Sequence, residues 1–262
     1  SYGSSVGTFT ITSTNVAPPQ TNDTPWTKAL DFSGSNEHAK QVGTNTNYTP
    51  IAMDGLSATA SAPTVSGNTS GNVYSRPWAT SIVFRIDGHN SNQHIWNQGD
   101  GSGSNDDNIY LRMSASRQLF FGWGRGSSNN ECLIHNYLQT NATNWYGVYI
   151  AHNGTRLSGS NATAANLADA FDIRIVQSGN WNYNINDNKS TVSNWNYGGI
   201  GQRMDRAFSG NFTIGGRGSN RSFHGKVASF VATTLRINQP MPTDSEIEVM
   251  ITDPIKWMND YK

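Results

Sequence analysis

The chain carries little charge. Only 14% of its 262 residues are charged, and 18 basic residues balance 18 acidic ones. A neutral chain has no electrostatic footprint for nucleic acid or for an anionic membrane surface. No apolar run approaches the roughly 20 residues that a membrane-crossing helix needs. Neither nucleic acid nor membrane is therefore an expected partner. Cysteine is nearly absent. Cys132 stands alone, so no intramolecular disulfide can form and the fold must rest on burial and hydrogen bonds. Cys132 itself reads as a small half-buried hydrophobe. Glutamate is scarce too: Glu37, Glu131, Glu246 and Glu248 are the full set. The first residues, Ser1 to Ser5, lack a charged stretch followed by an apolar one, so no signal peptide is visible.

Apolar residues make up 35% of the chain, below the usual share. Asn, Ser, Thr and Gly fill the gap, and all four favour turns and hydrogen bonds. Between their clusters lie short runs of alternating character: Ser81-Ile82-Val83-Phe84-Arg85-Ile86, His94-Ile95-Trp96-Asn97, Asn108-Ile109-Tyr110-Leu111-Arg112-Met113, Gln118 to Trp123, Trp145 to Ile150, Phe171 to Val176, Asn211 to Gly215 and Gly225 to Ala232. Many short strands with regular turn signals and almost no helical period predict an all-β, two-sheet sandwich. Asn153-Gly154 predicts a tight hairpin between Tyr149 and Leu157.

Two ends differ from this body. Residues 1–27 read as an arm: one alternating run, Thr8 to Thr12, then Pro18-Pro19, which enforces extended chain. A lone strand has no core of its own, so it must pair with the body or with a neighbouring subunit. Near the other end, Thr243-Asp244-Ser245-Glu246 is a capping-box pattern. Ile247, Met250 and Ile251 follow at helical spacing, and Pro254 stops the helix. Residues 251–262 are read as a tail.

The stretch Asn180 to Tyr197 repeats Asn-Trp-Asn-Tyr at its two ends. As a hairpin looping at Asn188-Lys189-Ser190, it pairs Trp181 with Tyr197 and Tyr183 with Trp195 on one face. Asn182 and Asn196 then lie on the reverse face. Three readings stay open: the ladder packs on its own sandwich, it is a protein contact, or it is a platform for sugar rings with Asn amides bonding hydroxyls.

Other chemistry finds thinner support. Retaining glycoside hydrolysis needs two carboxyl groups about 5 Å apart. No strand carries alternating carboxylates, and Glu246 and Glu248 fall in the predicted helix. Asp100, Ser102, Ser104 and Asp106 alternate oxygen donors as a calcium loop does, but Leu111 stands where an EF-hand places its closing Glu. The same loop also reads as a plain polar turn. His38, His89, His94, His135, His152 and His224 show no zinc spacing. Gly122 and Gly124 end a strand and open no helix, which argues against a phosphate cradle.

The order of motifs resembles laminin-G-like, concanavalin-A-like jelly rolls. "ALDFSGSNEHAKQV" (29–42) resembles their opening strand, and "WATSIVFRIDG" (78–88) a core strand. "HIWNQGDGSG" with "NIYLRM" is similar to a strand, Gly-Asp-Gly loop and strand. "NWYGVYIAHNG" (144–154) is similar to their Trp-Tyr-x-Val hairpin. "FTIGG…FHGKVASFV…TDSEIEVM" (212–250) resembles their closing signature. The resemblance covers residues 28–250, with 50–77 and 177–209 as insertions, and implies a jelly-roll sandwich with an arm and a short C-terminal helix. Similar chains with Asn-, Gly- and Ser-rich surfaces occur on phage virions. The resemblance thus implies a non-enzymatic surface structural protein, such as a virion decoration or fibre component. In that reading the arm adds a strand to a neighbour and the aromatic hairpin fills a contact with other copies or other virion proteins. The alternative is a secreted, lectin-like carbohydrate-binding module that meets glycans through the same hairpin, with calcium as a possible cofactor.

Overall fold

A computed structural model of the chain describes residues 8–11, 15–16, 29–31, 39–42, 78–88, 92–98, 108–125, 128–140, 144–153, 171–178, 193–197, 212–216, 221–234, 241–253 and 256–257. Fourteen strands and one helix occupy them. The strands are β1 (Thr8–Ile11), β2 (Asn15–Val16), β3 (Ala29–Asp31), β4 (Ala39–Val42), β5 (Trp78–Ile86), β6 (Gln93–Gln98), β7 (Asn108–Met113), β8 (Leu119–Arg125), β9 (Ser128–His135), β10 (Trp145–His152), β11 (Phe171–Ser178), β12 (Ser193–Tyr197), β13 (Phe212–Ile214) and β14 (Gly225–Thr234); the helix is α1 (Asp244–Thr252). They form two antiparallel sheets. Sheet A has the order β1-β4-β13-β6-β7-β8-β9-β12, and sheet B the order β11-β10-β5-β14-β3-β2. The protein is an all-β jelly-roll sandwich with a short C-terminal helix.

The core lies between the sheets. Sheet B contributes Trp78, Ile82, Phe84, Tyr146, Val148 and Ile150, and sheet A contributes Trp96, Ile109, Leu111, Phe121, Cys132 and Ile134. Alternation explains the sheet A residues, since one face of β7 and β8 meets the core and the other does not. It does not explain β5 and β10. All nine residues of β5 and all eight of β10 are buried. Their second face is sealed by α1 and by Trp257 beyond it: Ala79, Val83, Trp145, Tyr149, Ala151 and Val231 pack against Ile247, Met250 and Ile251 of the helix and against Trp257. Each fully buried apolar side chain on the helix contributes about 2 kcal/mol. The helix thus closes a second core on the back of sheet B.

The capping box is present. Thr243 Oγ1 accepts from the Glu246 amide at 3.3 Å, and Glu246 Oε2 accepts from the Thr243 amide at 2.6 Å. Arg174 on β11 grips Asp244 at the helix N-terminus and Asp172 on its own strand, tying helix to sheet. Thr243→Ala is expected to cost about 1 kcal/mol, read as a lower urea midpoint with an unchanged slope.

The strand pairing decides one open expectation and corrects another. The arm's run pairs with the body, one of the two partners expected for it: β1 lies on β4, and β2 lies on β3. Each sheet therefore gains one end strand from the arm. The hairpin expected after Asn153 does not return near Leu157. Both edges of β10 are taken, by β5 and by β11, and the returning strand β11 begins at Phe171. The segment 50–77 lies outside the described residues.

Candidate functional site

The outer face of sheet A is built differently from that of sheet B. Register places one residue per strand in a straight line across all eight strands: Thr10, Lys40, Thr213, Asn97, Tyr110, Gly122, Glu131 and Asn196. Every residue in that line is polar except the glycine, and Thr213, Asn97 and Tyr110 are buried, with exposures of 4%, 1% and 2%. The neighbouring line on the same face runs His94, Arg112, Phe120, Leu133 and Ser193. A β-bulge in β6 creates this arrangement. It turns both Ile95 and Trp96 into the core and leaves His94 on the outer face.

Glu131 sits at the centre. Its Oε1 accepts from the Tyr110 hydroxyl at 2.7 Å and from Arg112 Nε at 2.6 Å, and its Oε2 accepts from Arg112 Nη2 at 2.5 Å. This is a two-pronged guanidinium–carboxylate pair with a phenol added. Both partners are largely removed from water, with side-chain exposures of 15% for Arg112 and 19% for Glu131. The Arg112 guanidinium also lies 4.6 Å over the Phe120 ring. Its Nη1 reaches Asn92 Oδ1 at 3.5 Å, and the same oxygen accepts from the Ala115 amide at 3.2 Å.

Gly122 makes the array possible. Glu131 and Tyr110 belong to strands on either side of β8, so they meet only if β8 presents no side chain between them. A Cβ at Gly122 would stand 2.6 Å from the Tyr110 ring and hydroxyl. Gly122→Ala is expected to push the ring aside and break its bond to Glu131, lowering stability by about 1 kcal/mol. Loss of the phenol's contribution to the near-ultraviolet circular dichroism, with the far-ultraviolet spectrum kept, checks this.

The rim is formed by the segment before β14. Arg221 is exposed and adopts φ 59°, in the left-handed region. Its carbonyl accepts from the His94 amide at 3.0 Å, and its Nη1 stands 3.4 Å from His94 Nε2. The His94 ring packs 5.1 Å from that of Tyr110. Non-glycine residues held at positive φ cost about 1 kcal/mol or more and gather at ligand clamps.

The electrostatics follow from this crowding. Burial disfavours the ionised Glu131, but the hydrogen bonds and charge of Arg112 outweigh it, helped by the Tyr110 hydroxyl and the Arg221 charge, and hold the carboxyl below its usual range. Burial also opposes the charge on Arg112, and its bonds to Glu131 raise it all the same. Burial, then the Glu131 charge, pushes the Tyr110 hydroxyl far up. The group is one fixed anion, one fixed cation, a neutral phenol and a second cation at the edge. Asn97, opposite Tyr110 in the next strand, is 1% exposed, and its Oδ1 has no hydrogen-bond partner among the described residues.

The sequence candidates fall around this site unevenly. Trp181, Asn182 and Tyr183 lie outside the described residues, as do Asp100, Ser102, Ser104 and Asp106. Among the described residues no group of three or more His, Cys, Asp or Glu is placed to hold a metal ion. Trp195, Asn196 and Tyr197 lie on β12, the edge strand of sheet A. Its described partner is β9, with Asn196 opposite Glu131 and Tyr197 opposite Asn130. A register shift between Ser193 and Asn196 interrupts the strict alternation expected there. Tyr110, Arg112, Glu131 and Arg221 were not singled out as binding residues by their sequence context. The available signal was Phe120-Phe121-Gly122-Trp123-Gly124, a strand whose outward positions alternate to glycine beside a Tyr-x-Arg strand.

No family model and no curated protein matches the chain. Solved structures with a related chain path include the Ruminococcus gnavus IT-sialidase CBM40 bound to α2,3-sialyllactose, with 12% identity over 66% of this chain and 82% of that one, and a TM-score of 0.39. Domains LG4-5 of the mouse laminin α1 chain align at 12% identity over 67% of this chain and 40% of theirs, with a TM-score of 0.37. The Trypanosoma rangeli sialidase in complex with sialic acid aligns at 12% identity over 87% of this chain but 28% of its own, with a TM-score of 0.46. At such values no residue role passes from those proteins to this chain. The fold assignment rests on the strand pairing itself.

Proposed function

We propose that this chain is a non-catalytic, lectin-like module of an extracellular surface that reads glycan hydroxyls with the part of sheet A's outer face that solvent reaches, Arg112, Phe120 and Glu131, and with Arg221 beside it. One observation carries the reading: Tyr110, Arg112 and Glu131 are locked together across the sheet, with Arg221 exposed at the rim. Sugars are recognised by planar polar groups whose donors and acceptors are already fixed, because a rigid array loses little entropy on binding. The same locking disfavours acid catalysis. A glycosidase acid needs a raised pKa and a second carboxylate nearby, whereas Glu131 is held ionised by Arg112. The aromatic stretch completes the reading as a rim. In this proposal Trp181, Tyr183, Trp195 and Tyr197 stack on sugar rings, and the Asn182 and Asn196 amides bond hydroxyls. Calcium at Asp100, Ser102, Ser104 and Asp106 is a secondary part of the proposal. Self-association through the arm, as in a virion component, would use the outer edges of β1 and β2, the end strands of their sheets, and has no described contact behind it.

A glycan array with and without a chelator tests this. The wild type is expected to select one glycan class. Gly122→Ala, folded but lacking the Tyr110–Glu131 bond, is expected to bind it roughly tenfold more weakly. Chelator sensitivity supports the calcium loop, and indifference to chelator removes it. No bound glycan, or equal binding by Gly122→Ala, overturns the assignment of the site.

A further inference from the structure

The turn Ser114 to Gln118, which joins β7 to β8, holds an arginine in a conformation that suits glycine. Arg117 adopts φ 62°, in the left-handed region. Its amide donates to the Ser114 carbonyl at 2.9 Å, and its carbonyl accepts from the Leu138 amide at 2.7 Å, so the backbone is held on both sides. Glycine takes that conformation without strain, and arginine does not. Strain kept at a non-glycine residue points to a role for its side chain. The Arg117 side chain reaches the segment after β9. Its guanidinium carbon lies 4.1 Å from the centre of the Tyr137 ring, and Nη1 donates to Thr140 Oγ1 at 3.3 Å. Among the side chains described, Tyr137 is the one large hydrophobic that is exposed, at 47%.

Three other arginines show what this side chain does elsewhere in the fold. Arg85, Arg112 and Arg174 each turn the edge formed by Nε and Nη2 to a carboxylate, that of Asp87, Glu131 and Asp172 respectively, at 2.5–3.2 Å. On Arg117 the same edge has no hydrogen-bond partner among the described residues, while Thr140 and the Tyr137 ring fix the guanidinium in place. We propose that Arg117 and Tyr137 form a subsite for a carboxylate-bearing sugar residue. The Nε–Nη2 edge of Arg117 takes the carboxylate in a two-pronged pair, and Tyr137 offers its exposed surface to the apolar face of the sugar ring. The subsite adjoins the outer face of sheet A. Asn92 Oδ1 accepts from the Ala115 amide of this turn and from Arg112 Nη1, so one side chain joins the turn to the Arg112–Glu131 pair. The subsite rests on the proposed glycan recognition for its ligand being a sugar, and it makes that glycan an acidic one.

A panel of oligosaccharides containing a uronic acid, each paired with its methyl ester and with a sulfated neutral counterpart, tests this on the whole chain. The wild type is expected to bind its best acid roughly tenfold more tightly than the ester, and the acid is expected to shift the Arg117 Nε–Hε resonance. Arg117→Gly removes the fork and relieves the backbone, so it is expected to fold and to bind acid and ester alike. Arg117→Lys keeps the charge without the fork and is expected to lose most of the preference; it serves if the glycine variant fails to fold. Tyr137→Ala is expected to weaken acid and ester by the same factor. Equal binding of acid and ester by the wild type, no binding of either, an undiminished preference in a folded Arg117 variant, or a stronger preference for the sulfate overturns the subsite. If a neutral glycan binds and the acids gain nothing, recognition by sheet A stands and the subsite fails. If the preference depends on Arg117 while Gly122→Ala binds as tightly as the wild type, the subsite stands and the recognition face fails.

Discussion

Glu131→Gln is expected to lower the unfolding free energy by about 3 kcal/mol near neutral pH, because it strands a buried cation rather than deleting a weak surface contact. Arg112 is 15% exposed at its side chain, and its charge is answered by the two Glu131 oxygens at 2.6 and 2.5 Å. An amide in place of the carboxylate leaves the guanidinium desolvated and opposed by one neutral acceptor. Exposed ion pairs are typically worth less than 1 kcal/mol, so an observed loss of that smaller size would mean that water reaches the pair. The pH dependence follows in sign from the same bonds. The folded carboxyl titrates below its unfolded value. Its contribution is therefore complete above the unfolded pKa of about 4.3 and is lost as pH falls through the lower folded value. Urea midpoints from pH 7 downward are expected to drop in the acid range for the wild type, with this component missing in Glu131→Gln. The two effects separate the residue's charge from its shape.

The second large effect lies away from the proposed site. Gly225→Ala is expected to destabilise the fold by about 3 kcal/mol or more, since the added methyl has nowhere to go. An ideal Cβ at Gly225 would stand 2.0 Å from the Arg85 carbonyl oxygen and 2.6 Å from the Phe223 ring. The first of these atoms is backbone and cannot swing away. Gly225 opens β14 opposite Ile86, at the junction of the two central strands of sheet B. Relief requires parting β14 from β5, and those strands carry the sandwich core on one side and the helix-capped core on the other. Thermal unfolding measured with the same probe for Gly225→Ala and Gly122→Ala should place the first far below the second. In Gly122→Ala the clash is with the end of a tyrosine ring, which can move.

The sandwich was legible in the sequence because strands that meet one core announce it by alternation. Leu111 and Met113 point inward while Tyr110 and Arg112 do not, and Phe121 does the same beside Gly122. The helix was legible for a local reason: Thr243 and Glu246 are three residues apart and cap each other. What was hidden depends on contacts distant in the chain. β5 is buried on both faces only because α1, some 160 residues later, lies across its back. The hairpin after Asn153 failed because its local turn signal cannot report that both edges of β10 are filled. The site was hidden for a similar reason. Arg112 and Glu131 are 19 residues apart, and they meet across a third strand because that strand offers glycine at the crossing point. Read singly, Glu131 was a stray carboxylate; alternation within one strand says nothing of its partners Tyr110 and Arg112, which lie on β7, two strands away. The bulge that aims His94 outward is likewise invisible to a period-two pattern, which places His94 and Trp96 on the same face.

Recognition through the outer face of sheet A is the central proposal. Chemical-shift mapping with the glycan that the wild type selects measures this directly. Saturation is expected to move the resonances of His94, Tyr110, Arg112, Glu131 and Arg221 and to leave the back of sheet B and its helix, around Tyr149 and Met250, unchanged. Shifts confined to that helical side, with the Tyr110–Arg112–Glu131 group silent, would contradict it.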